Sequence, residues 1–139
     1  MLEDVNFVIG DLGFATELEQ GAMTKTQCGT PLYMAPEVQF NQLYDATKVD
    51  VWSLGIIFYE MLTGFVPFNG MSKPDLKSKL EKGNYLLPKD VLLSLEGLSF
   101  LNQCLQYDPK NRLSIDELMQ HNYLKPTFLS QSKHDETVR

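Results

Sequence analysis

A carboxylate with a glycine two residues on, Asp11-Leu12-Gly13, follows the β-prone run Val5 to Ile9. At a strand end such a carboxylate can ligate a hard cation such as Mg²⁺, and the glycine permits an unusual backbone turn. Taken alone, the triplet is weak evidence and reads first as a plain β-turn. Asp50 is a second acid of interest. It stands where a long apolar segment begins, and acids are favoured near helix N-termini. Cys28 and Cys104 lie far apart and show no metal-ligand spacing, so they read as free thiols of a reducing compartment.

The elements that must position these groups are mostly helical. Val5 to Ile9 reads as a strand, and Phe14 to Thr16 as a second short one. Glu17 to Gln27 is polar, contains Gly21 and has no period, which predicts an exposed loop. Gly29 to Met34 continues as irregular chain stiffened by Pro31, and Ala35-Pro36-Glu37 opens a short helix with proline in its tolerated first turn. Val49 to Leu62 is apolar on almost every face, the pattern of a buried helix. Thr47 or Asp50 lies at its start, and Gly64 suits its C-cap. Ser72 to Glu81 predicts an amphipathic helix that Gly83 can end. Ser94 to Leu105 predicts another, with Leu98, Leu101 and Leu105 on one face. Asp108-Pro109 marks a turn, and Ser114 with Glu117 fits a capping box. Ser130 to Arg139 is polar and expected to fray. The fold class is therefore mainly α, with about five helices and one or two short strands.

At 139 residues the chain fits one domain. Its net charge of −6 disfavours nucleic acid, which demands clustered Lys and Arg. No apolar run is long enough for a membrane span, and the acidic start lacks the basic region of a signal peptide. A cytoplasmic location is the default expectation.

Further motifs carry a family likeness. Gly29-Thr30-Pro31-Leu32-Tyr33-Met34-Ala35-Pro36-Glu37 follows the acid–glycine triplet, then Asp50-Val51-Trp52-Ser53-Leu54-Gly55, then Arg112 after Asp108-Pro109-Lys110-Asn111. In this order the set resembles the C-terminal lobe of a eukaryotic protein kinase, over roughly residues 5–125. The resemblance makes residues 1–129 a partial protein kinase domain and 130–139 a tail. It implies that Asp11, beside Gly13, ligates the Mg²⁺ bridging ATP phosphates, with Leu12 in place of the family's Phe. It implies a buried ion pair of Glu37 and Arg112, and an Asp50 that holds the catalytic loop's backbone amides. Thr30 matches the substrate-side threonine of serine/threonine kinases. Thr26, with Thr24 as its competitor, stands where many such kinases carry an activating phosphate. His121 matches the family's final-helix ending and implies a structural role. Cys28 to Glu37, Ile57 to Gly64, Pro67-Phe68 and the Pro74-Asp75-Leu76 helix look like the autophagy-initiating Unc-51-like kinases. Calcium/calmodulin-dependent-type and cell-cycle kinases share parts of them.

The resemblance also marks what these residues do not contain: a Gly-rich phosphate loop, a phosphate-binding strand lysine, its glutamate partner and the His-Arg-Asp loop with the proton-accepting aspartate. The chain alone is therefore expected to be inactive and to bind little ATP. The segment Val49 to Leu62 is expected to need a covering partner. Three readings follow. The chain is part of a serine/threonine kinase; or it is a non-catalytic binding module that competes for a protein substrate or regulatory protein; or it complements a separately encoded N-lobe.

Overall fold

The computed structural model describes residues 8–17 and 22–125. One long helix organises it. Asp45 caps the start by accepting from Thr47 N at 3.0 Å, and helix α2 then runs over Ala46–Thr63. It stops at Gly64, whose φ of 77° is the left-handed geometry that only glycine adopts without cost. The expected start at Thr47 or Asp50 is thus corrected. Asp50 sits beyond the first turn, and the cap falls to Asp45 because its side chain reaches an otherwise unpaired N–H.

Before α2 lie a 3₁₀ turn at Leu12–Phe14, a two-residue strand β1 (Met23–Thr24), the short helix α1 (Pro36–Gln39) and strand β2 (Tyr44–Asp45). The strands pair antiparallel, Met23 opposite Asp45 and Thr24 opposite Tyr44. Two sequence expectations change here, and a third lies mostly outside the described residues. Phe14 to Thr16 is not a strand, because Asp11 bends the chain and the Ala15 N–H closes on the Leu12 carbonyl at 3.0 Å. The expected loop Glu17 to Gln27 contains β1, whose partner is distant in sequence. Of the expected strand Val5 to Ile9, residues 5–7 lie outside the described residues, while Val8 and Ile9 are exposed and pair with neither described strand. The expected tail 130–139 also lies outside them.

Three helices follow: α3 (Lys73–Lys82), α4 (Leu95–Cys104) and α5 (Ile115–Met119), then a 3₁₀ turn at Asn122–Leu124. Serine hydroxyls cap all three, Ser72 to Asp75 N, Ser94 to Gly97 N and Ser114 to Glu117 N. Glu117 completes a capping box by accepting from Ser114 N at 2.7 Å. His121 caps the last turn through Nδ1, and its ring meets Phe100 edge-on at 5.4 Å. Among the described residues the fold is thus mainly helical, five α-helices with one two-stranded sheet.

The core lies along one stripe of α2, formed by Val51, Trp52, Gly55, Ile56 and Tyr59. Helix α4 packs onto it so closely that a Cβ on Gly55 would meet Cys104 Cβ at 2.7 Å. Phe68 stacks on Trp52 at 5.7 Å, and Leu80, Leu101, Leu105 and Leu118 fill the remaining space. The opposite side of α2 is not buried. Leu54, Ile57 and Met61 share a face and stay exposed, Ile57 by 44% and Met61 by 65%. Apolarity on all sides marked this helix as wholly buried; the described elements cover only the stripe that meets α4 and Phe68. No helix among the described residues is long and apolar enough to cross a membrane.

Candidate active-site cleft

Asp11 takes a left-handed conformation, φ 54°. Aspartate tolerates this because its short side chain bonds locally. Here Oδ1 accepts from Gly13 N at 3.4 Å. The other carboxylate oxygen has no protein partner among the described residues, and the side chain is exposed. A single carboxylate so placed can bring one ligand to Mg²⁺, which takes one or two carboxylates plus phosphates and water. Among the described residues no group of three or more His, Cys, Asp or Glu gathers to hold a metal.

From Phe14 and Thr16 the chain borders a cleft of about 620 Å³ that also contacts β1, the segment Cys28–Met34 and the start of α2. Thr24, Thr26, Thr30 and Asp50 all line it. The Thr24 and Thr26 hydroxyls lie 3.3 Å apart, and Thr26 N donates to Thr24 Oγ1 at 3.4 Å. The Tyr44 phenol donates to the Thr26 carbonyl, which ties this stretch to β2. Burial pushes the Tyr44 phenol up from its usual value, so it remains a donor.

Asp50 has no hydrogen-bond partner among the described residues, although it is exposed at the cleft. The protein around its carboxyl removes part of the solvation shell, which raises its pKa above the usual carboxylate range.

The segment after Thr30 is fixed by side chains that sequence reasoning missed. Tyr33 N donates to the Thr30 carbonyl at 3.0 Å, and Ser53 Oγ donates to the Tyr33 carbonyl at 3.0 Å. The Tyr33 phenol donates to Glu60 Oε2 at 2.7 Å, and this bond to a carboxylate raises the phenol's pKa. Ser53 and Glu60 are seven residues apart, two turns of one helix face, a spacing that could have pointed to a shared partner. Gln39 Nε2 donates to the Pro31 carbonyl at 3.2 Å and pins the segment from the other side.

Glu37 and Arg112 lie apart from the cleft, behind it. They are 2% and 1% exposed. Arg112 Nη1 and Nη2 meet the two Glu37 oxygens at 2.7 and 3.1 Å. Nη1 also donates to the Lys48 carbonyl at 2.8 Å, and Nε and Nη2 donate to the Gln106 carbonyl at 3.1 and 3.0 Å. All five guanidinium donors are therefore used. The Lys48 ammonium returns a bond to the Arg112 carbonyl at 2.6 Å, and the guanidinium lies 5.0 Å from the Trp52 ring centre. A buried charge is tolerable only when paired and fully hydrogen-bonded, and this one is both.

Cys28 lines the cleft and is half-buried; Cys104 is buried against α2. The structure thus gathers the three threonines and Asp50 in one cleft. It places Asp11 and Gly13 just before the residues that border it, and Glu37 with Arg112 in its support.

Residues 1–124 match the family model described as the protein kinase domain. The chain is 38% identical over 125 residues to the putative sperm motility kinase W of Mus musculus, covering 90% of this chain and 25% of that kinase. It is 41% identical over 123 residues to the carbon catabolite-derepressing protein kinase of Saccharomyces cerevisiae, covering 88% and 19%. It is 34% identical over 130 residues to the probable cell cycle serine/threonine-protein kinase CDC5 homolog of Encephalitozoon cuniculi, covering 93% and 26%. The chain therefore spans about a fifth to a quarter of the length of the relatives it matches.

Proposed function

The chain belongs to the protein kinase family, and from that premise we propose that it supplies the activation segment and supporting helices of a serine/threonine kinase. The whole enzyme would move the γ-phosphate of ATP to a protein Ser or Thr hydroxyl. The observation that carries this reading is the fully bonded Glu37–Arg112 pair, which fixes the segment Thr30–Glu37 against α2 while leaving Thr30 open to the cleft. Phosphoryl transfer is mostly positioning and electrostatics, so a rigidly held substrate segment is a meaningful part of it.

In this reading Asp11 brings one oxygen to Mg²⁺, whose charge neutralises the phosphates when it is bound. Gly13 holds that carboxylate through its N–H. Thr30 faces the phosphoacceptor. Asp50 lines the cleft without a partner among the described residues and serves to anchor the backbone amides of a catalytic loop. Thr26, with Thr24 beside it, is the site of an activating phosphate. These residues do not cradle ATP: the sequence has no Gly-rich loop or strand lysine. By itself the chain is therefore inactive. The resemblance of Ile57 to Gly64 and Pro67-Phe68 supports an Unc-51-like or calcium/calmodulin-dependent-like affiliation.

The second reading, a non-catalytic module that binds a protein substrate or regulatory protein, draws on the exposed face Leu54, Ile57 and Met61. A partner that buries this face would remove the remaining exposed part of three large apolar side chains from water, a gain of about 1 kcal/mol each.

One experiment separates the two. Phosphate transfer to a Ser/Thr peptide is measured for the protein in which these residues occur, with and without Asp11→Asn. Transfer that falls at least about 100-fold in the variant supports the kinase reading, because the residue that holds the metal is lost. Transfer that ignores Asp11, or none at all alongside tight partner binding, favours the module.

A further inference from the structure

Between α3 and α4 the chain runs over residues 84–88 without a turn or bend. Its exposure alternates. Asn84 and Leu86 are exposed, while Tyr85 and Leu87 pack on the core, the Tyr85 ring 5.5 Å from Tyr59 and 5.9 Å from Phe68. This is the period-two pattern of a strand with one buried face, yet neither described strand pairs with it. In such a chain the backbone groups of alternate residues point to opposite edges. The Leu86 carbonyl accepts from the Tyr59 phenol at 2.7 Å, so its edge faces α2. The N–H and C=O groups of Tyr85 and Leu87 therefore point to the other edge. Among the described residues none of these four groups has a hydrogen-bond partner. Beside the segment lies an open groove of about 580 Å³, lined by residues 83–87 and by Leu98 and Asn102 of α4. The Tyr85 phenol donates to Asn102 Oδ1, which leaves the Asn102 Nδ2 amide as a donor without a partner among the described residues. Lys82 and Lys89 stand at the two ends, both exposed and in no ion pair among the described residues. Of the acids next to them in sequence, Glu81 is engaged by Lys77 at 3.8 Å and Asp90 is unpaired among the described residues. Two cations against one acid make this edge basic on a chain of net charge −6.

We propose that the free edge of residues 84–87 takes up an extended, acidic peptide of a partner protein by strand addition. The peptide backbone pairs with Tyr85 and Leu87. An aliphatic side chain enters the groove at Leu98, and carboxylates near the two ends of the peptide meet Lys82 and Lys89. In docking of this kind main-chain bonds give affinity and alternate side chains give specificity. The two lysines are seven positions apart, roughly 23 Å of extended chain, so roughly six to eight residues span the site. A second copy of this chain is a poor occupant. Antiparallel pairing of two such segments sets Lys82 of one against Lys89 of the other, and like charges across an edge oppose pairing. None of the groove residues borders the cleft at Thr30, so the inference stands apart from the phosphoryl-transfer reading.

The probe is the peptide fluorescein-Glu-Glu-Leu-Thr-Leu-Thr-Glu-Glu-amide, titrated into the protein in which these residues occur. Its anisotropy is expected to rise saturably. Hydrogen exchange at the Tyr85 and Leu87 amides should slow by at least about tenfold in the complex, and exchange at Leu86 should stay the same. Two N-methylated peptides locate the bonding edge, one methylated on both Leu nitrogens and one on both Thr nitrogens. One of them is expected to bind as before and the other at least about tenfold more weakly, because alternate amides point to opposite edges. Lys82→Glu together with Lys89→Glu, at exposed positions that leave the core untouched, should weaken binding at least about fivefold. No saturable binding, or full binding of both methylated peptides, would overturn strand addition. Equal binding of a peptide with Lys in place of every Glu would overturn the acidic assignment.

Discussion

Removing either member of the Glu37–Arg112 pair should cost more stability than any other single polar substitution described above. Both side chains are buried, and the guanidinium makes two bonds to the carboxylate at 2.7 and 3.1 Å. Glu37→Ala strands a buried cation; Arg112→Ala strands a buried anion and also leaves the Lys48 and Gln106 carbonyls without their donors. Breaking such a pair costs about 3–5 kcal/mol. With a urea dependence of about 2 kcal/mol per molar, the midpoint should fall by about 1.5–2.5 M. Urea unfolding followed by Trp52 fluorescence is a direct assay, because the guanidinium lies 5.0 Å from that ring. The double variant Glu37→Leu with Arg112→Met should cost at least about 2 kcal/mol less than the sum of the two alanine changes, since no lone charge remains. A single change costing under about 1 kcal/mol, or additivity within about 0.5 kcal/mol, would refute the argument that the pair is one coupled unit.

Gly55→Ala should destabilise by about 1–3 kcal/mol through overpacking, since the new Cβ meets Cys104 Cβ at 2.7 Å and Leu105 Cδ2 at 2.8 Å. A thermal melt unchanged from the wild type would contradict the close approach of α2 and α4. Asp75 has its pKa lowered, chiefly by the Lys79 bond at 3.0 Å and then by the Met71 N–H. A depressed acid pKa stabilises above the unfolded value, about 4. That contribution should therefore vanish as pH falls through the lower, folded pKa, and Lys79→Met should move the Asp75 carboxyl titration upward in an NMR series. Burial pushes the Cys104 thiol up to about 12, whereas Cys28 is only half-buried. A thiol reagent at pH 8 should then label Cys28 in the folded chain and reach Cys104 only after denaturation; rapid labelling of both would argue against the described α2–α4 packing.

What was legible in the sequence was mostly local. Ser114 caps its helix, and Gly64 and Gly83 end theirs, because these signals act within one turn. The pairing of Met23–Thr24 with Tyr44–Asp45 was not legible, since two residues per strand leave no period to read. The left-handed Asp11 hid for a related reason. A strand pattern at Phe14 to Thr16 was overridden by one side chain closing on Gly13 N–H. The family motifs pointed to Thr30 and Asp50 at the cleft and to Glu37 and Arg112 behind it. They did not disclose that Tyr33 reaches Glu60, or that Arg112 also serves the carbonyls of Lys48 and Gln106. Those bonds depend on which backbone groups three distant segments leave unpaired, a property of the packed chain.

The Glu37–Arg112 contact joins residues 75 positions apart. Closing a loop of that length costs about 4 kcal/mol of chain entropy. Its return is large only once water has been excluded, and that requires α2 and α4 to have met first. The pair should accordingly be absent from the folding transition state. Its loss would leave the refolding rate almost unchanged and would appear nearly in full as faster unfolding. The lifetime of the folded chain, more than the speed of its formation, is then governed by this one late contact.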